Sequence, residues 1–78
     1  MENTTQQFAP ETMNIWVNGE PKLISAGTSL DGLLDLLKLP KVGVAAALAA
    51  EVVHKRMWTE TILAEGQRVE ILTISQGG

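Results

Sequence analysis

The fold is decided by a stretch near the start of the chain, Asn14-Ile15-Trp16-Val17-Asn18-Gly19-Glu20-Pro21-Lys22-Leu23-Ile24. Two apolar segments flank Asn18-Gly19, and this dipeptide is the strongest short signal for a β-hairpin because both central residues of a type I′ turn need positive φ. Pro21 lacks an N–H group, so its strand is expected to begin there or to lie at a sheet edge. The stretch therefore predicts an antiparallel hairpin.

The segment after the hairpin predicts an amphipathic helix. Thr28, with Asp31 three residues later, is typical of a helix N-cap followed by an acid in the first turn. Leucines then recur at helical spacing and form one apolar stripe: Leu30, Leu33, Leu34 and Leu37. Leu39 precedes Pro40, which disfavours the α conformation, so the helix is expected to stop there.

The remaining sequence predicts further strands around this helix. Residues 42–53 stay open between strand and helix, because the valines favour a strand and the alanine run favours a helix. Residues 56–65 are expected to form a loop whose apolar members pack inward, whereas residues 68–74 alternate as a strand. A hairpin, a helix and further strands predict an α+β fold, with a mixed sheet of four to five strands and one main helix across one face.

Composition limits the chain to one small domain. It has 78 residues, a net charge of −3 and no cysteine, which excludes disulfides and thiolate metal sites. Apolar residues 42–50 are too few for a membrane span of about twenty residues, no secretory signal opens the chain, and no basic patch suggests nucleic acid. We therefore expect a cytoplasmic protein with no membrane or nucleic-acid partner. Its expected parts are a disordered tail over 1–12, a domain over 13–74 and a flexible tail over 75–78.

Enzyme chemistry finds almost no support in the sequence. His54 is the one histidine, and a catalytic or metal role would need partners that a chain without cysteine or a second histidine does not offer. The other candidates are more simply explained as serines without a base, a solvated acid pair and packing aromatics: Ser25, Ser29, Ser75, Asp31, Asp35, Trp16 and Trp58.

The sequence ends in Gly77-Gly78, directly beyond the last predicted strand. A random Gly-Gly end is expected in roughly one chain in two hundred. The four residues after the strand, Ser75, Gln76, Gly77 and Gly78, span at most about 14 Å when extended, enough to thread the terminus into another protein's active site. A carboxylate is a poor electrophile at neutral pH, so it reacts only after activation, for example as an acyl-adenylate made by a partner that uses ATP.

An ordered set of residues along the body of the chain carries a resemblance to a known family. These residues are Val17-Asn18-Gly19-Glu20, Thr28-Ser29-Leu30, Leu33-Leu34, Val44-Ala45, Glu51-Val52-Val53, Arg56, Trp58, Thr61, Leu63, Gly66, Val69-Glu70-Ile71 and Gly77-Gly78. On this set, which spans residues 13–78, the chain resembles the ThiS family, the sulfur carrier proteins of thiamine (thiazole) biosynthesis. The family has the ubiquitin-like β-grasp fold.

The resemblance implies a carrier protein that binds no cofactor itself. It implies that a ubiquitin-activating-type adenylyltransferase uses ATP and Mg to adenylate Gly78. Sulfur from a cysteine desulfurase or another sulfur donor then converts the glycine to a thiocarboxylate, and thiazole synthase takes the sulfur. Gly78 is in that case the covalent sulfur acceptor, and Ser75, Gln76 and Gly77 thread it into the partner.

The chain departs from the family pattern in two places. The family commonly has Asn-Gly where this chain has Ala49-Ala50. Because alanine is poor at positive φ, the second hairpin is expected to avoid a type I′ turn. Gln67 stands where the family often has aspartate, so one local turn bond is expected to be lost.

Three other functions stay open at this point. The first is the small subunit of molybdopterin synthase, another thiocarboxylate carrier, although Trp58 and residues 69–71 favour the thiamine branch. The second is a ubiquitin-like modifier conjugated to lysine through Gly78. The third is a non-catalytic β-grasp interaction module with an idle tail.

Strand alternation further predicts a docking surface beside the tail. If residues 44–48 form a strand next to the last one, Ala45 and Ala47 lie with Leu72 and Ile74 on the face opposite the helix. A contiguous apolar patch beside a reactive tail suggests partner docking.

Overall fold

The structure is a computed structural model that describes residues 11–74. Its elements, in chain order, are β1 (Thr12–Val17), β2 (Glu20–Ser25), α1 (Leu30–Leu36), β3 (Val44–Leu48), β4 (Glu51–Val53), a 3₁₀ turn (Lys55–Met57) and β5 (Arg68–Thr73). The strands form one sheet in the order β2-β1-β5-β3-β4. The central pair β1 and β5 is parallel and the other neighbours are antiparallel, so the sheet is mixed as predicted. Within residues 11–74 no helix is long and apolar enough to cross a membrane.

The first hairpin has the geometry that its sequence predicts. Asn18 and Gly19 have φ of 51° and 86°, and they connect the paired residues Val17 and Glu20. The strand that contains the proline, β2, pairs only with β1 and is an edge strand. β1 begins at Thr12, which pairs with Ser25, so the sheet starts one residue inside the segment assigned to the tail. Glu11 is also described, and its carbonyl accepts from the Ala26 N–H at 2.9 Å, whereas residues 1–10 of that segment lie outside the described residues.

Helix α1 is capped one residue later than the sequence predicts. The Ser29 Oγ accepts a hydrogen bond from the Gly32 N–H at 3.0 Å, which makes Ser29 the N-cap. Thr28, the predicted cap, instead donates its hydroxyl to the Ser25 carbonyl at 2.7 Å. The preceding turn therefore uses the first hydroxyl, and the next one satisfies an orphan N–H of the helix.

The end of α1 is a Schellman motif built without glycine. The Lys38 N–H donates to the Asp35 carbonyl and the Leu39 N–H donates to the Leu34 carbonyl, both at 3.0 Å. Lys38 has a φ of 57°, the left-handed conformation that this motif requires and that glycine usually supplies. The helical segment ends at Leu36, ahead of the predicted stop at Leu39.

The core lies between α1 and the sheet. The predicted leucine stripe is confirmed, since Leu30, Leu33 and Leu34 are fully buried and Leu37 packs against them. The remaining core side chains come from the sheet and from the segment before β5: Met13, Ile15, Val17, Ile24, Ala46, Trp58, Leu63 and Val69.

The segment between β4 and β5 closes one end of this core. Trp58 is buried and donates its indole N–H to the Val53 carbonyl at 3.0 Å. The carbonyls of Thr61 and Trp58 accept from the Leu30 and Asp31 N–H groups at 2.8 and 3.2 Å, so the segment is anchored to the start of the helix. The expected inward packing is only half right, because Met57 and Ile62 are exposed.

The second hairpin overturns an expectation from the sequence. Residues 44–53 form the two strands β3 and β4, and Leu48 pairs with Glu51. This register leaves only Ala49 and Ala50 in the turn, with φ of 50° and 73°, both positive as in a type I′ turn. The primed turn matches the twist of the strands, so strand pairing imposes it on two alanines at a cost of about 1–2 kcal/mol per residue.

Replacing one of these alanines with glycine is expected to stabilise the protein. Ala50→Gly removes the left-handed strain but makes the unfolded chain more flexible, which leaves a net gain of roughly 0.5–1 kcal/mol. A thermal unfolding curve should show a midpoint a few degrees higher. Ala64→Gly is the matched control, because Ala64 is not among the positive-φ residues, and it should be neutral or destabilising. Equal effects of the two changes on the unfolding midpoint would contradict the claim that Ala50 is strained.

The turn before β5 also differs from expectation. The Ala64 N–H donates to the Gln67 Oε1 at 2.9 Å, and the Gln67 N–H donates to the Ala64 carbonyl at 3.1 Å. The expected loss of a turn bond at Gln67 is therefore wrong, because the longer amide side chain still reaches the backbone.

Candidate functional site

Strand β5 carries the candidate site, because it leads directly to the last four residues of the sequence. It lies in the middle of the sheet, between β1 and β3. On the β3 side, Thr73 pairs with Val44 and the Ile74 N–H donates to the Gly43 carbonyl at 2.7 Å. The sheet thus holds the chain as far as Ile74, four residues before Gly78. The predicted tail residues Ser75, Gln76, Gly77 and Gly78 lie outside the described residues.

On the β1 side, an asparagine side chain extends the pairing of β5. The Asn18 N–H donates to the Val69 carbonyl at 2.9 Å. Its side-chain Oδ1 then accepts from the Ile71 N–H at 2.8 Å, and its Nδ2 donates to the Ile71 carbonyl at 3.2 Å. A primary amide offers the same donor and acceptor as a peptide group. Asn18 therefore continues the ladder after β1 has turned away.

The sequence predicts Asn18 only as a turn residue and does not indicate this second role. Asparagine tolerates the positive φ that the turn requires, and that property accounts for it fully. The signal that could have indicated this pairing lies in the topology. An asparagine at the first turn position can pair with a neighbouring strand that continues beyond the turn. Only the parallel pairing of β1 with β5 reveals that this neighbour is the strand before the tail.

The face of the sheet opposite α1 presents the predicted docking residues beside the tail. Leu72 is 58% exposed, Ile74 is also exposed and Ala45, which pairs with Leu72, is half-buried. We call Leu72, Ile74 and Ala45 the tail-side patch. Its apolar atoms are in contact with solvent at the point where the chain leaves the sheet.

One predicted member of this patch, Ala47, lies on the predicted face but is shielded from solvent. Ala47 is only 7% exposed, although it lies outside the core cluster under the helix. It pairs with Glu70 on one side and with Val52 on the other, and a methyl group between two longer side chains is shielded from solvent. Val52 is not among the predicted docking residues, yet it is 78% exposed on the same face.

The half of this face that lies over β1 and β2 is separated from the tail-side patch by charged side chains. Trp16 and Leu23 are exposed on the neighbouring strands β1 and β2, while the charged Arg68 and Glu70 separate them from the tail-side patch. A surface depression of about 310 Å³ is lined by Trp16, Gly19, Arg68, Val69 and Glu70. The open face thus has two apolar regions with a charged strip between them.

The acidic pair on the helix has a structural role. Lys41 Nζ lies 2.8 Å from Asp35 Oδ1 and 3.1 Å from Asp31 Oδ2. The hydrogen bonds to Asp35 and then to Asp31 hold the pKa of Lys41 above its usual value, because both carboxylates favour the charged amine. The pair therefore ties the segment after the helix back onto the helix surface.

The remaining reactive side chains are dispersed. His54 is exposed at the start of the 3₁₀ turn and makes no capping bond with its side chain. Ser29 is occupied as the helix cap. Within residues 11–74 there is no group of three or more histidine or acidic side chains that could hold a metal ion.

A mixed five-stranded sheet crossed by one helix, with its first and last strands parallel in the middle, defines a ubiquitin-like β-grasp fold. The model of the ThiS family matches residues 9–78, nearly the whole sequence. The chain belongs to the ThiS family, and both the predicted resemblance and the predicted fold are confirmed.

Solved structures agree with this assignment. The crystal structure of the thiamine biosynthesis protein ThiS from Geobacter metallireducens is 30% identical, with a TM-score of 0.75, and the match covers 85% of this chain and all of that one. The solution structure of a thiamine biosynthesis protein from the same organism gives a TM-score of 0.71 at 30% identity, covering 85% of this chain and 88% of that one. A search of curated proteins gives no match.

Proposed function

We propose that this protein is the sulfur carrier of thiamine biosynthesis and that the carboxylate of Gly78 is its sulfur acceptor. The observation that carries the proposal is the family match, which extends through Gly77 and Gly78. The fold supports it, because β5 is held by both neighbouring strands and brings the chain to Ile74 in a fixed position. A rigid body followed by a slim end suits a substrate that another enzyme must take into its active site.

The chemistry requires two steps at the same carbonyl carbon. In the first, a Gly78 carboxylate oxygen attacks the α-phosphorus of ATP and pyrophosphate leaves, which gives an acyl-adenylate. In the second, hydrosulfide attacks the carbonyl carbon, AMP leaves with its bonding electrons, and a thiocarboxylate and a proton result. A terminal carboxylate is ionised at neutral pH and needs this activation before a nucleophile can react with it.

The catalytic groups come from partner proteins. We propose a ubiquitin-activating-type adenylyltransferase that holds ATP and Mg, a cysteine desulfurase or other sulfur donor, and a thiazole synthase that receives the sulfur. The carrier supplies recognition and an unhindered acyl group. Glycine at 77 and 78 removes the Cβ atoms that would otherwise crowd a narrow channel around the reacting carbon.

The tail-side patch is the proposed docking surface for these partners. Leu72, Ile74 and Ala45 form an apolar surface at the base of the tail, so a protein that contacts them is already placed to receive Gly78. Burying a large exposed side chain such as leucine contributes about 1.5–3 kcal/mol, enough to affect affinity strongly. Ala47 is left out of this surface because it is shielded.

Adenylation can be tested by ATP–pyrophosphate exchange with the purified activating enzyme. Exchange is expected to depend on the carrier. A synthetic chain that ends in the Gly78 carboxamide is the matched control, because it keeps every residue and lacks only the nucleophilic carboxylate. It should support no exchange. Equal exchange with the carboxamide would contradict the proposal.

A further inference from the structure

The backbone hydrogen bonds of β5 alternate between its two neighbours. Arg68 and Ile74 bond to the β3 side, through the Ala49 N–H at 3.1 Å and the Gly43 carbonyl at 2.7 Å. Gln67 and Val69 bond to the β1 side, where their carbonyls accept from Trp16 and Asn18 at 2.9 Å. The backbone N–H and carbonyl groups of even-numbered β5 residues thus point towards β3, and those of odd-numbered residues point towards β1, as strand geometry requires.

This alternation leaves one peptide position open at the base of the tail. Ile71 is the next odd residue, and its N–H and carbonyl bond to the Asn18 side chain. Thr73 follows, but β1 has already turned away at Asn18 and Gly19. Among residues 11–74, none bonds the Thr73 N–H or carbonyl on that side, and Thr73 is exposed. Within the part of the chain that the structure describes, β5 therefore has an unpaired edge beyond Asn18.

We propose that this edge is a strand-addition site for an extended segment of the activating enzyme. The segment would lie in line with β1, begin beyond Asn18 and exchange backbone hydrogen bonds with Thr73. This inference rests on the proposed function and deepens it, since it names how the partner holds the tail. It makes Thr73 a positioning residue that acts through its peptide group.

The composition of the tail favours this kind of recognition. Gly77 and Gly78 have no side chains, so a partner can bind them only through their backbone groups. Strand addition does this, because main-chain hydrogen bonds supply affinity without side-chain contacts.

The tail-side patch and the open edge are adjacent but distinct. Leu72 and Ile74 turn their side chains to the open face, while the Thr73 peptide group lies in the plane of the sheet. Between residues 11 and 74 the open edge is one residue long and Asn18 closes the position before it. An edge this short avoids indiscriminate pairing with other strands.

Thr73→Pro tests the edge directly. Proline removes the outward N–H and breaks no hydrogen bond to β3, so the free protein should unfold at nearly the wild-type temperature. The dissociation constant for the activating enzyme should rise about tenfold, the effect of one lost interfacial hydrogen bond that leaves its acceptor unpaired. Thr73→Val is the matched control, because it keeps the N–H and should bind like the wild type. Ile74→Pro removes an N–H that the fold uses and should lower the unfolding temperature.

A synthetic chain with N-methylated Thr73 removes the same donor without a ring and should match Thr73→Pro. If both chains bind the activating enzyme with wild-type affinity, and the wild type is still adenylated, the proposed strand addition at Thr73 is wrong and the proposed function is unaffected. Equal weakening by Thr73→Val would also overturn it, because the side chain would then be responsible. If Thr73→Pro destabilises the full chain but not a chain lacking residues 1–10, that segment occupies the edge and the inference fails. Absence of carrier-dependent adenylation with the wild type would remove the proposed function, and this inference with it.

Discussion

A chain that ends at Gly77 is expected to form no thiocarboxylate and to support no thiazole formation. Removing Gly78 moves the carboxylate back by one residue, about 3.5 Å along an extended chain. A displacement of 1 Å in a reacting group can cost about a hundredfold in rate, so a shift of this size should abolish reaction at the adenylating site. Reconstitution with the activating enzyme, ATP, sulfide and thiazole synthase measures both products.

Gly78→Ala is the control for this truncation, because it keeps the length of the tail and adds one methyl group. It should retain part of the activity, with the loss set by crowding around the carbonyl carbon. Full restoration of thiazole formation by the truncated chain would contradict the assignment of Gly78 as the acceptor. Equal inactivity of both variants would show that the reaction needs both the full tail length and a last residue without a Cβ atom.

The second large effect is expected from Leu72→Glu. The side chain is 58% exposed, so the fold should survive and the unfolding midpoint should change little. At an interface the carboxylate would replace apolar contact and lose its water, next to Glu70 on the same face. We expect the affinity for the activating enzyme and for thiazole synthase to fall by about 2 kcal/mol or more, as at an interface hot spot.

Leu23→Glu is the matched control for Leu72→Glu. Leu23 is 64% exposed on the same face, but it lies on the edge strand β2, with β1 between it and β5. The same chemical change at this distance from the tail should leave both affinities near the wild-type values. If Leu72→Glu binds normally while folded, the tail-side patch is not the docking surface. If both variants bind weakly, docking extends over the whole open face.

Local sequence signals were sufficient where the chain follows common rules. The Asn18-Gly19 turn and the leucine stripe each have one physical interpretation, and both appear in the structure. The helix cap is Ser29 and not the predicted Thr28. Two adjacent hydroxyls could cap the helix, but that of Thr28 is bonded to the carbonyl of Ser25 in the preceding turn. Local propensity could not choose strand for residues 44–53, since that choice depends on pairing with β5.

Propensity failed at Ala49 and Ala50 for the same reason. Alanine disfavours positive φ, but five paired positions between β3 and β5 and three between β3 and β4 fix the register on both sides of the turn. The many contacts of the sheet outweigh the strain of two residues. Lys38 at the end of the helix is a second case, where the helix and the segment held by Lys41 impose a left-handed conformation on a non-glycine residue.

The candidate site was predictable in outline but not in its local details. Alternation placed Leu72 and Ile74 on the correct face, because period two applies to any strand. It could not show that Ala47 is shielded, since that depends on which side chains flank it in neighbouring strands. It also could not show that the Asn18 side chain bonds Ile71, since the two residues are 53 positions apart in sequence.

The most direct test of the carrier function is the intact mass of the protein after incubation with the activating enzyme, ATP, Mg²⁺ and sulfide. We expect one oxygen of Gly78 to be replaced by one sulfur, so the mass should rise by the difference between the two atoms, and fragmentation should place the change on the last residue. The Gly78 carboxamide chain, treated in the same way, should keep its mass. An unchanged wild-type mass beside an active enzyme, or a mass increase equal to a protein linked through an isopeptide bond, would contradict a sulfur carrier.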